Sequence, residues 1–179
     1  MIGYAQAAGS RHAGGGARGF TLIEILVVVV IVGVLAAALT IAIGGSSERQ
    51  LANESDRFQA LLAHACSEAE LGGREVGVVL AADGYAFRRL DGAQWRAFGS
   101  DDELRDRHWL AGLRFQLLRD GRAVELASGD QSAPQLVCFS SGELTPFVLT
   151  FALGDAPTRY RLRGSDDGAI VSDRLESAR

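Results

Sequence analysis

The sequence predicts an α+β protein in which one long N-terminal helix, apolar all round in its first half and amphipathic in its second, packs on one or two antiparallel sheets. Three observations predict it. Phe20 to Ile43 is an apolar run of 24 residues that contains a single charge, Glu24. From Leu51 to Ala69 apolar residues recur at helical spacing. Beyond Gly72-Gly73 the pattern changes to short alternating runs separated by Asp-Gly turns.

The apolar run has the length of a membrane span. At about 1.5 Å per residue its helix covers roughly 36 Å, against a hydrocarbon core of ~30 Å. Val27 to Val30, Ile31, Val32 and Val34 would also suit a buried strand, but strands rarely exceed about ten residues. Length decides for helix. Met1 to Arg18 carries Arg11, His12 and Arg18 with no acidic residue, so it reads as a leader held on the cytoplasmic side with the rest of the chain outside. A secretory signal has an uncharged apolar region of roughly 7–15 residues, which neither this length nor Glu24 fits. A plain signal anchor has the right length but gives Glu24 no role. A carboxylate at the bilayer centre costs roughly 2.5–3.5 kcal/mol, so Glu24 is a functional candidate.

Gly44-Gly45-Ser46-Ser47 interrupts the pattern, and two readings stand: a kink capped by Ser46 or Ser47, or helix running through. Leu51, Phe58, Leu62, Ala65 and Ala69, with Leu61 beside them, form one stripe, while Glu48, Arg49, Glu54, Arg57, His64 and Glu68 take other faces. Gly72-Gly73 closes the helix as a C-cap. Strands follow at Val76–Leu80, Tyr85–Leu90 and Gln94–Phe98, joined at Asp83-Gly84 and Asp91-Gly92. Further strands are expected at Leu113–Leu117, Ala123–Leu126, Leu136–Phe139, Phe147–Leu153, Tyr160–Arg163 and Ala169–Val171, with Ser128–Gln135 a flexible loop.

Without the leader and the apolar run about 135 residues remain, the size of one domain. Loss of Arg11 and Arg18 leaves 16 arginines and no lysine against 22 Asp and Glu, a balance of −6 that disfavours nucleic acid and anionic membrane as bulk partners.

Gly19-Phe20-Thr21-Leu22-Ile23-Glu24 and the apolar helix behind it resemble the class III leader of type IV pilins and type II secretion pseudopilins. The resemblance implies cleavage after Gly19 by a prepilin peptidase, N-methylation of Phe20, and pairing of Glu24 with the α-ammonium of a neighbouring subunit. Pairing is what makes a charge tolerable in a low-dielectric helix bundle. Phe139 to Phe147, Arg159 to Gly164, Gly72 to Gly77 and Gly84 to Phe87 with Trp95 resemble the GspH/FimT family of minor pseudopilins and pilins. That likeness implies a pilin-like helix on a β-sandwich-like head, divided as a cleaved leader 1–19, a transmembrane helix 20–43, an amphipathic helix 44–72 and a periplasmic head 73–179. It also implies a non-enzymatic subunit of the inner membrane, near the tip of a short pseudopilus. There it would join the minor pseudopilins I, J and K and the major pseudopilin to move exoproteins through an outer-membrane secretin. The alternative within the family is a FimT-like pilin of pilus assembly or DNA uptake.

Other residues are weighed against plain structural roles. Cys66 and Cys138 are an even pair that an oxidising compartment could join, but Cys66 flanks the apolar stripe and a free buried thiol is the preferred reading. Asp101-Asp102-Glu103, Asp106 and His108 suggest a cation, yet Arg105 and Arg107 interleave with them and the spacing matches no calcium loop, so a solvated turn and no metal are expected. His64 and His108 lack ligand or nucleophile motifs, Ser140-Ser141-Gly142 reads as a turn, and no nucleotide loop is present, so neither catalysis nor a cofactor is expected. Arg159, Arg161 and Arg163 share one strand face and are the candidate nucleic-acid patch, with Arg174 and Arg179 as candidate extensions; the plain reading is the polar face of an edge strand near Asp155, Asp166 or Asp167.

Overall fold

The computed structural model describes residues 21–126 and 133–176, with the side chains of 37–46 left aside. Helix α1 spans Leu22–Gly72, so the backbone is helical straight through Gly44-Gly45-Ser46-Ser47. The chain divides into two compact units, Met1–Thr40 and Ile41–Arg179. In the first, the apolar side chains from Leu22 to Leu35 are exposed around the helix, Leu22 by 84% and Leu35 by 58%. Among the described residues no helix is long and apolar enough to cross a membrane.

Among the described residues the second unit is built on ten strands: β1 Val76–Ala81, β2 Gly84–Asp91, β3 Gln94–Ala97, β4 Arg107–His108, β5 Leu113–Arg119, β6 Arg122–Ala123, β7 Leu136–Cys138, β8 Phe147–Leu153, β9 Thr158–Gly164 and β10 Ile170–Glu176. They form two five-stranded antiparallel sheets. The first has the order β3-β2-β1-β7, with β4 also paired to β2, and the second β10-β9-β8-β5-β6. The hydrophobic stripe of α1 closes the core: Leu51, Phe58, Leu62, Ala65 and Ala69 are fully buried with Val78, Leu80 and Phe87 of the first sheet and Leu117, Leu149, Phe151 and Leu162 of the second. Phe58 sits among aromatic rings, 5.0 Å from Tyr85, 5.6 Å from Trp109 and 5.9 Å from Phe151. One helical side chain thus touches both sheets.

Several expectations change. Glu54 is buried rather than on a solvent face, because Arg57 one turn on pairs with it at 2.6 Å. The same guanidinium lies near the buried Tyr85 phenol. Burial draws the Arg57 pKa down, but the phenol and Glu54 outweigh it and hold it above the ordinary value, while burial pushes the Tyr85 phenol up. The strand expected at Ala123–Leu126 shortens to Arg122–Ala123. A strand absent from the sequence pattern, β4, adds to the edge of β2 where Gly84 pairs with His108. Gln135, expected in a flexible loop, is buried. Its amide accepts from Leu80 N–H at 2.8 Å and donates back to the Leu80 carbonyl at 3.4 Å. Gln135→Ala should therefore lower stability by about 1–3 kcal/mol, the cost of an unsatisfied buried amide, read from the denaturant midpoint of the full chain in detergent.

Candidate assembly site and head surface

Glu24 lies in the first turn of α1 and is exposed. The Thr21 carbonyl accepts from the Glu24 and Ile25 amides at 3.0 and 3.3 Å, which sets the start of the helix. A carboxylate in a first turn complements the positive end of the helix dipole. Gly19 and Phe20, the expected processing residues, lie outside the described residues. The helix that carries Glu24 presents only apolar side chains from Ile25 to Val32, each about half exposed or more. Such a surface finds cover in lipid or in other chains.

In the head, Cys66 and Cys138 are joined, with Cα atoms 4.9 Å apart across 72 residues of sequence. This corrects the preference for free thiols. The flank position of Cys66 on the stripe, the reason given for that preference, is what points it at β7.

Arg159, Arg161 and Arg163 do share one face of β9, but β9 is an interior strand rather than an edge, lying between β8 and β10. Their acidic neighbour is Asp173 on β10. Its Oδ2 pairs with Arg163 at 2.7 Å and Arg161 at 3.5 Å. Arg174 faces the other way and pairs with Glu48 of α1 at 3.5 Å, while Arg179 lies outside the described residues. The carboxylate of Glu48 also accepts from the Thr158 hydroxyl at 2.6 Å.

Asp166 and Asp167 belong to the β9–β10 turn. The Ser165 hydroxyl, then the Ala169 amide, donate to Asp167 and hold its carboxyl below the usual carboxylate range. A lowered folded pKa means that the contribution to the turn is present above the ordinary carboxylate value and lost as pH falls through the lowered one. The protection of the Ala169 amide against hydrogen exchange, taken relative to its intrinsic rate at each pH, should fall across that acidic window, and Asp167→Asn should remove the dependence. Gly168 in this turn has φ +80°, and a Cβ there would stand 2.5 Å from the Gly142 carbonyl oxygen. The close approach of the two turns therefore requires glycine at 168, the Leu144 amide also donates to the Asp166 carbonyl across it at 3.3 Å, and Gly142 N–H closes its own turn on the Phe139 carbonyl at 3.1 Å. Ser140 and Ser141 belong to that turn.

The acidic segment 101–108 is tied down by β2 and by its own backbone. Arg88 forks onto Asp106, with Nη2 to Oδ2 at 3.1 Å, and Asp102 accepts from the Leu104 amide at 2.8 Å. Glu103 stands 3.8 Å from His64, and His108 is exposed in β4. Among the described residues no three acidic, His or Cys side chains are placed to hold a metal ion.

Sequence reasoning missed the fasteners of the head. Gln135, the buried Glu54 and the Glu48 link to β9 and β10 had no pattern to find them by, since each depends on a partner 55 to 126 residues away or on a buried phenol.

A family model of the type II transport protein GspH matches residues 54–168, and one of the prokaryotic N-terminal methylation motif matches residues 15–40. The chain belongs to the GspH family. Type II secretion system protein H of Pseudomonas aeruginosa is 38% identical over 174 residues, covering 90% of this chain and 97% of the relative. The protein of the same description from Aeromonas hydrophila is 32% identical over 154 residues, covering 79% and 84%. The crystal structure of the minor pseudopilin EpsH of Vibrio cholerae superposes with TM-score 0.59 at 21% identity, over 74% of this chain and 99% of that one. The solution structure of Escherichia coli GspH gives 0.55 at 21% identity, over 72% and 89%. At these identities the two structures speak for the fold. This GspH chain is a minor pseudopilin of the type II secretion system, a structural subunit of the cell envelope that works with other pseudopilin components. The matches favour secretion over the FimT-like alternative.

Proposed function

We propose that this pseudopilin is cut after Gly19, N-methylated at Phe20, held in the inner membrane by residues 20–43, and carried into the pseudopilus by Glu24. Its head stands in the periplasm near the fibre tip with the minor pseudopilins I, J and K, above the major pseudopilin, and takes part in moving exoproteins without catalysing a reaction. Residues 1–19, 20–43, 44–72 and 73–179 serve as leader, span, connecting helix and head. The observation that carries this reading is a single carboxylate in the first turn of a helix whose apolar side chains are exposed from Leu22 to Leu35. An unpartnered charge at that depth is unfavourable, and the α-ammonium of a neighbouring subunit removes the penalty. The disulfide agrees with an oxidising compartment for the head.

Co-production with a prepilin peptidase tests the reading. N-terminal sequencing should find N-methylphenylalanine at Phe20, and Gly19→Leu should leave the leader attached. Any other mature N-terminus would remove the processing reading.

A further inference from the structure

The register of the second sheet lays out its outer face in rows. At one end Leu118, Val148 and Val171 line up beside Arg163, and with Pro146 they edge a groove of about 470 Å³. Val171 is 49% exposed there. In the middle row Gln116 and Thr150 lead to Arg161 and Asp173. At the other end Arg114 and Arg159 stand on either side of the small side chain of Ala152, around a cleft of about 250 Å³.

The two ends differ in what they lack. Asp173 already holds Arg161 and Arg163. Arg159 has no carboxylate partner among the described residues, and Arg114 donates to the Gly154 carbonyl, a neutral acceptor. Four arginines and one aspartate on one face stand out in a mature chain whose side-chain balance is −6. The complement of Arg114 and Arg159 is a carboxylate, and the complement of the Leu118–Val148–Val171 groove is one apolar side chain. Rows four residues apart along a strand lie about 13 Å from each other. A polyanion suits the face less well: two guanidiniums without acidic partners offer it little charge neutralisation, the net acidity of the chain repels it, and the apolar groove gives it nothing.

We propose that the outer face of the second sheet docks a protein segment of a neighbouring pseudopilin, seating a carboxylate between Arg114 and Arg159 and an apolar side chain in the Leu118–Val148–Val171 groove, whose row lies about 13 Å further along the strands. The proposal rests on the reading of this chain as a fibre subunit.

The test is photo-crosslinking of the full-length chain in cells that also make the other pseudopilins and the prepilin peptidase, with the photoreactive residue in place of the exposed Gln116. The expected result is a discrete crosslink to another pseudopilin. Arg159→Glu and Val171→Asp should each reduce it about tenfold, as expected for loss of one charge-assisted contact or one apolar anchor, and Arg105→Glu in the acidic segment should leave it intact. A compensating acidic-to-arginine change in the crosslinked partner segment should restore the Arg159→Glu signal. A chain that co-purifies with the pseudopilins but gives no crosslink from position 116 would overturn the proposal and leave the fibre reading standing. A crosslink indifferent to Arg159→Glu, or one to nucleic acid, would overturn it equally. A chain that never co-purifies with other pseudopilins would sink the fibre reading itself.

Discussion

Phe58→Ala should destabilise the head by about 3–5 kcal/mol, the range for removing a fully buried aromatic ring from a core. Its ring lies within 5.0 to 5.9 Å of Tyr85, Trp109 and Phe151, which come from the first sheet, the segment after β4 and the second sheet. The vacated space is lined by three large rings that cannot all close on it, so relaxation recovers little. Because a domain of this size holds about 5–15 kcal/mol in all, the variant should be marginal at growth temperature, with low yield and raised protease sensitivity. Phe58→Leu keeps most of the volume and should cost less than half as much. Urea unfolding of the full-length variants in detergent checks both, and equal losses for Ala and Leu would show that the ring contacts do not matter.

Opening the Cys66–Cys138 bond should cost about 2–4 kcal/mol, toward the upper end because the closed loop spans 72 residues. The bond fastens the last third of α1 to β7, a short strand of three residues that pairs with β1 over only three positions. Without the bond, β7 retains that pairing and the backbone contacts of its following turn, such as Thr145 N–H to the Val137 carbonyl at 2.9 Å. The expected result is a lower Tm for Cys66→Ser/Cys138→Ser and for the wild type under reductant, with the two agreeing. A wild-type Tm indifferent to reductant would show that the bond contributes nothing.

The parts of the fold that were legible in the sequence are those written as period. The alternation from Phe147 to Leu153 predicts β8 with the bounds observed, and its four inward residues are all buried. The stripe of Leu51, Phe58, Leu62, Ala65 and Ala69 predicts the fully buried apolar residues of α1, though not the buried Glu54 and Ser55 beside them. The parts that were not legible depend on partners distant in sequence. β10 runs on to Glu176 through Ser172-Asp173-Arg174, which carries no strand pattern, because all seven of its residues pair with β9. β4 has two residues, too short for any alternation, and exists because Gly84 lets the backbone of Arg107 approach: a Cβ on Gly84 would collide with the Arg107 carbonyl.

The same division holds for the site. Glu24 stands out in the sequence as a candidate because a lone charge in an apolar run has an energetic meaning by itself. The arginines of β9 were legible as a row, but their meaning was not. Asp173, which occupies two of them, sits on a strand the sequence pattern did not extend to, and Arg114, which faces Arg159 across Ala152, comes from a strand 45 residues earlier.

The central claim is that Glu24 carries this GspH-family subunit into the pseudopilus. The measurement that tests it most directly is recovery of the full-length chain with sheared pseudopilins from cells making the whole apparatus, comparing wild type with Glu24→Ala and Glu24→Gln. The account predicts that both variants are made, processed and membrane-bound at wild-type levels but are recovered with the pseudopilins at about a tenth of the wild-type amount or less, the effect of losing one buried charge pair. Recovery of Glu24→Ala at the wild-type level would contradict it.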